Sequence, residues 1–238
     1  MSRTLAQLKK DKYENLTEEE ISSFKEVWSI LHNAVNNTWP NQYKEAFDNF
    51  LKHFGWHIRL DMSTDDLIPF IKKGSNAVDD FFIKQLRHDR SAIRRQACEK
   101  FPHRKEMINS AFNAHSKRNY LQAVPLFLML SEGIFREISG LDLFSKNSKK
   151  TVFIKSLKVD KKVTLLISHI IEAVTNGDII GLRFDNDEYL KYPNVLSRNK
   201  ILHGADYTYG NATNAYKALS QFEFVIESIY IALNDGNI

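Results

Sequence analysis

With a single cysteine, Cys98, the chain can form no disulfide within itself and has no zinc-finger ligand set. That usage fits a reducing cytoplasm. Only five prolines and nine glycines occur in 238 residues, too few for a sheet-rich fold with many tight turns. The longest apolar run, LQAVPLFLML at 121–130, is too short to span a bilayer, and Glu132 and Arg136 follow it directly. The first twenty residues contain no apolar core of a secretory signal. There is no phosphate-binding glycine loop, no G-x-S-x-G and no internal repeat.

An apolar fraction of 43% with 16 phenylalanines can fill a sizeable core, which excludes a disordered chain. The net charge of +4 is mild but unevenly placed. Ten Lys/Arg stand between Lys84 and Arg118 against Asp89, Glu99 and Glu106, and seven Lys between Lys146 and Lys162 against Asp160. Such clusters suit a polyanion such as RNA or DNA, and equally suit solvated helix faces and loops.

Helical periodicity dominates. Thr17 to Glu20 makes a capping box, and Phe24, Val27, Trp28, Leu31 and Val35 follow at helical spacing. Further helices are expected at about 41–54 and from a Ser63 or Thr64 cap, with Asp65 and Asp66 at the positive end and Pro69 in an early turn. A helical run with a basic outer face covers AVDDFFIKQLRHDRSAIRRQACEKF. FPHR at 101–104 marks a seam, and helices follow at about 104–116 and 119–139. The second of these is apolar all round for three turns, which predicts the central helix of a bundle closed by Gly140. Residues 145–162 read as a loop and VTLLISHIIEAVTNG as another helix, while DIIGLRF reads as a short strand pair or an irregular connection. A short helix from about Asn194 to His203 stops at Gly204, and a last helix covers about 212–233. The expectation is an all-α protein: a helical N-terminal domain over 1–100, of unassigned role, and a helical bundle over 101–238.

Within LSRNKILHGADYTYGN, Arg198 and His203 are five residues apart, a rise of roughly 7.5 Å and about 140° of rotation on a helix. Both heads can lean over one groove, because the arginine is long and His203 lies where the helix gives way. Arg198 suits a phosphate or a developing negative charge. His203 suits proton transfer near neutral pH, and Asn199 can bond a ribose or phosphate. The bland alternative is an exposed arginine and a histidine bonding the last carbonyls of the helix. Metal-free RNA cleavage needs an acid as well as a base, and this stretch holds one histidine. A second copy across a two-fold axis supplies the other, so a homodimer is expected.

RNKILHG, followed by a Tyr/Gly turn and NAYKALS, resembles HEPN-domain proteins over about 104–238. Their signature is an Arg, often followed by a polar residue, with a His four to six residues on. The E-x-x-x-R of Glu132 and Arg136 is similar to one on an early helix of several such families. The resemblance implies a metal-independent endoribonuclease of a toxin–antitoxin or abortive-infection system, without cofactor. Arg198 and His203 would be catalytic, with Asn199 and Glu132 supporting. It also implies RNA as substrate (tRNA among the candidates) and an antitoxin or regulatory protein as partner. The alternative is a non-catalytic HEPN-type module binding RNA, nucleotide or a partner protein. Where some HEPN toxins carry a modified Tyr two residues after the His, this chain has Ala205, and its first Tyr is Tyr207.

Three other patterns have residue types that could carry chemistry. Glu132 and Arg136, one turn apart, could equally form a structural ion pair. His53 and His57 have the spacing of two metal ligands on one helical face, but no third ligand is evident, and packing beside Trp56 explains them as well. Phe81 and Phe82 fit the core better than base stacking, leaving Arg87, Arg90, Arg94 and Arg95 as the RNA-binding candidates.

Overall fold

The computed structural model describes residues 50–59, 62, 64–140, 142–143 and 191–229. All belong to one compact unit, Gln42–Ile238; a second unit, Met1–Asn41, lies outside the described residues. So do the expected helices near 17–35 and 163–177, the loop at 145–162 and the DIIGLRF segment.

Every described element is helical, and the protein is all-α. Residues 50–54 form the end of one helix. Then come α1 (Thr64–Ile71), α2 (Ser75–Lys100), a 3-10 turn (Pro102–Arg104), α3 (Lys105–Ser116), α4 (Tyr120–Ser139), α5 (Arg198–Leu202) and α6 (Ala212–Phe224), which runs on as a π-helical turn (Val225–Ile229). None is long and apolar enough to cross a membrane.

The breaks follow from the residues. Pro102 cannot donate the next helical hydrogen bond, and α2 gives way there to the 3-10 turn. Arg104 pins that turn to α4, its Nε donating to Glu137 Oε2 at 2.7 Å and its Nη2 to the Gly133 carbonyl at 3.2 Å. Burial works against the Glu137 charge, but hydrogen bonds from Arg104 and His103 outweigh it and hold the carboxyl below its ordinary range. At the start of α6 the Asn211 side chain accepts from the Asn214 N–H at 2.9 Å, an N-cap that fixes where the helix begins.

The layer order differs from the sequence expectation in one respect. The helix buried on every side is α6, in which all residues from Ala215 to Phe224 are buried, including Lys217, Ser220, Gln221 and Glu223. Helix α4 packs on both α3 and α6, yet keeps Leu121 and Met129 exposed. Its apolar run is wider than the face the neighbouring helices cover. The core joins these layers through Phe112, Phe127 and Phe222, whose ring centroids lie 5.1 to 5.9 Å apart. Packing is continuous across the FPHR seam, since Phe82, Leu86, Ile93 and Ala97 of α2 share one apolar cluster with α3, α4 and α6. Phe82 lies flat on Trp56, with centroids 4.9 Å apart.

Candidate functional site

Helix α5 is only five residues long and needs outside support, because so short a helix does not persist alone. Ser197 caps it, its hydroxyl accepting from the Lys200 N–H at 3.4 Å. Its one buried residue, Ile201, anchors it to the core. At the other end the chain reverses at Gly204, whose φ of 74° lies in the left-handed region that side chains resist. The Ala205 and Asp206 N–H groups both donate to the Lys200 carbonyl, at 2.8 and 3.1 Å.

The segment before α5 is held just as firmly. Asn194 Nδ2 donates to the His53 carbonyl at 2.8 Å, and the Asn194 carbonyl accepts from Lys217 Nζ at 2.8 Å. Gly55 makes this approach possible: its φ is 75°, and a side chain there would collide with the Asn194 carbonyl. Lys217 also lies 5.6 Å over the Trp56 ring and 3.9 Å from Asp79. Burial lowers its pKa and the Asp79 carboxylate opposes that shift. Beyond α5, the Tyr209 hydroxyl donates to the Leu121 carbonyl at 2.9 Å, and Asp206 Oδ1 accepts from Thr208 N and Oγ1 at 2.8 and 2.9 Å.

On this frame the Arg198 guanidinium, about one-fifth exposed, meets α4. Its Nη2 donates to Glu132 Oε2 and its Nη1 to Asn199 Oδ1 at 2.9 Å. Three of the four residues singled out around this stretch, Arg198, Asn199 and Glu132, are thus in contact. Glu132 bonds Arg198, and Arg136 turns instead to Asp142, its Nε 3.1 Å from Oδ1. The fourth residue, His203, caps the C-terminus of α5 and is exposed, with its backbone N–H on the Asn199 carbonyl at 3.0 Å. A fork held by a carboxylate at the base of a short helix, with a solvent-facing imidazole at its tip, has the parts for anion contact and proton transfer.

The α2 arginines divide into two sets. Arg87 Nε donates to the Tyr216 hydroxyl at 3.4 Å, while Arg94 donates to Asn109 Oδ1 at 2.8 Å and Asn113 Oδ1 at 3.3 Å. These two tie α2 to α6 and α3. Arg95 is exposed and Arg90 half-buried, and neither makes a side-chain hydrogen bond or ion pair among the described residues. Beneath them His115 is buried against Tyr120, Phe127 and Tyr216. Burial first, then the Arg90 charge, pushes its pKa down to about 4. Tyr216, Lys217, Asn194 and His115 carried no local signal in the sequence, because their partners lie far along the chain, with one hydrogen bond, from Asn194 to His53, spanning 141 residues.

His53 and His57 do not share a helical face. The helix ends before Gly55, His53 is exposed and His57 is buried against Phe224, with centroids 5.6 Å apart. Among the described residues no group of three or more His, Cys, Asp or Glu is placed to hold a metal ion.

Fold and site together define an all-α protein with an Arg/Glu/Asn cluster joining two helices and a histidine on the rim. No family model, curated protein or solved structure matches the chain.

Proposed function

We propose that this protein is a cytoplasmic, metal-independent endoribonuclease of the HEPN type, acting in phage defence by abortive infection or in a toxin–antitoxin pair. The observation that carries the reading is the bond between Arg198 and Glu132, which joins α5 to α4 across 66 residues and supports Glu132 as the partner that orients the arginine. In the mechanism, His203 removes the proton of a ribose 2′-hydroxyl. The resulting oxygen attacks the adjacent phosphorus, and the bond to the 5′-oxygen breaks. Arg198 stabilises the extra charge on the phosphoryl oxygens. His203 of a second copy, in a homodimer, gives a proton to the departing 5′-oxygen. The products carry a 2′,3′-cyclic phosphate and a 5′-hydroxyl. Arg90 and Arg95 are the best placed of the α2 arginines to meet RNA phosphates, and an antitoxin or regulatory protein would hold the site in check.

A second reading, a non-catalytic module that binds RNA, nucleotide or a partner protein, is favoured by the same contact seen from the other side. Glu132 already neutralises Arg198, and a neutralised fork is a weaker phosphate ligand.

One experiment separates the two. Total tRNA is incubated in excess EDTA with the wild type, His203→Ala and Arg198→Ala. The nuclease reading expects cleavage with cyclic-phosphate ends by the wild type alone. RNA retained without cutting supports the binding module, and neither result leaves a helical scaffold.

A further inference from the structure

A cleft of about 460 Å³ opens between α1 and the first half of α2 and shares no lining residue with the Arg198 cluster. Its size falls within the range of small-molecule sites. Part of the lining is apolar: Leu67 is buried, and Met62, Phe70 and Phe81 are half-buried, with the two phenylalanine rings 4.5 Å apart. This explains why Phe81, unlike its neighbour Phe82, is not sealed inside the core.

The rest of the lining is polar, and its charges are unequally committed. Arg59 Nη1 lies 2.7 Å from Asp89 Oδ2 and 3.5 Å from the buried Glu223. That guanidinium is engaged by carboxylates and is poorly placed to receive an anion. Asp66, exposed in the first turn of α1, makes no ion pair or hydrogen bond among the described residues, and neither does Gln85 across the cleft. Among the described residues the lining thus holds one engaged cation, one engaged carboxylate, one uncommitted carboxylate and a neutral amide. An entering phosphate or carboxylate would meet repulsion from Asp66, with Arg59 and Asp89 occupied by each other. An ammonium group would meet attraction from Asp66, and aromatic faces add to it. Its apolar body would rest on Met62, Phe70 and Phe81.

We propose that the α1–α2 cleft is a binding site for a small organic cation, a primary amine carrying an aromatic body, with Asp66 as counter-ion and Phe70 and Phe81 as the aromatic wall. This site stands apart from the nuclease reading and does not depend on it.

The test is calorimetric titration of the full-length protein with phenethylamine, its neutral analogue 2-phenylethanol and its anionic analogue phenylacetate. Saturable binding of phenethylamine is expected, with phenylacetate failing to bind and 2-phenylethanol binding at least roughly tenfold more weakly. Asp66→Asn changes an exposed side chain and keeps the fold, which circular dichroism checks, and it should weaken phenethylamine by roughly tenfold. Phe81→Leu, which keeps apolar volume but removes the ring, should weaken it several-fold. No saturable binding of phenethylamine overturns the proposal. So does equal binding of phenylacetate, or an Asp66→Asn protein that binds as the wild type does.

Discussion

Arg198 can sit four-fifths buried because Glu132 meets it there. Removing only one partner leaves the other charge half-desolvated, which costs more than the pair contributes. Glu132→Gln should therefore destabilise the protein by roughly 1–2 kcal/mol, since the pair keeps some solvent screening; urea unfolding measures it. On the nuclease reading the same variant should also lower kcat more than KM in tRNA cleavage, because a loosened guanidinium still meets substrate but is poorly set for the transition state. Unchanged stability would mean that the contact is incidental. The sequence showed which residues carry this chemistry, and E-x-x-x-R showed that Glu132 and Arg136 share a helical face. It did not show that Glu132 would choose an arginine 66 residues away over the one next to it. Helical spacing reports neighbours along one element, and the better-buried partner came from another.

Helix α5 depends on its surroundings. Five residues with one buried side chain cannot hold a helix, so its position is set by the segments on either side. Lys217 is the main tie, and its amine is the donor to the Asn194 carbonyl. Lys217→Met keeps most of the stem packing but leaves that carbonyl without this donor, and a loss of roughly 1–3 kcal/mol is expected in urea unfolding. Gly204→Ala tests the other end. Nothing crowds the position, so the cost should be about 1 kcal/mol, from the left-handed backbone alone. The glycine was legible as a stop signal, and the boundaries of α3 and α4 and the end of α5 fall close to where caps and breakers put them, whereas α5 begins at Arg198, after the Ser197 cap, and not at Asn194. The lysine was not legible: it sits mid-helix in α6, where the pattern alone suggests a solvated charge.

At the scale of the whole molecule, two buried imidazoles among the described residues link the fold to pH. Burial pushes His57 from 6.5 down to about 3, and burial with the Arg90 charge pushes His115 from 6.5 down to about 4. Both folded-state values are depressed, so the unfolded chain binds protons first as pH falls. The contribution of these two histidines to stability is full above about pH 6.5 and declines below it. The His115 share is lost by about pH 4 and the His57 share by about pH 3, with roughly 3 kcal/mol at stake for His115 alone. Thermal unfolding from pH 7.5 to 4 should show the decline, and His115→Phe should flatten part of it. A flat profile would show that these histidines are not neutral and buried. Charge acts at this scale too. If Arg90 and Arg95 meet RNA phosphates, their double alanine variant should reduce the slope of log K against log salt by about 1.4 to 1.8. Arg87→Ala should instead act through the lost hydrogen bond to Tyr216.

The residue order by itself determined that the chain is helical and where its described helices break, because capping, proline and glycine act over one or two turns. Which helix lies at the centre, which carboxylate holds Arg198 and which arginines of α2 remain available were decided by the tertiary structure alone. Those outcomes depend on competition between partners brought together by packing, and α6 took the centre because the neighbouring elements supply partners even for its charged residues. Local rules see only one side of each such pairing.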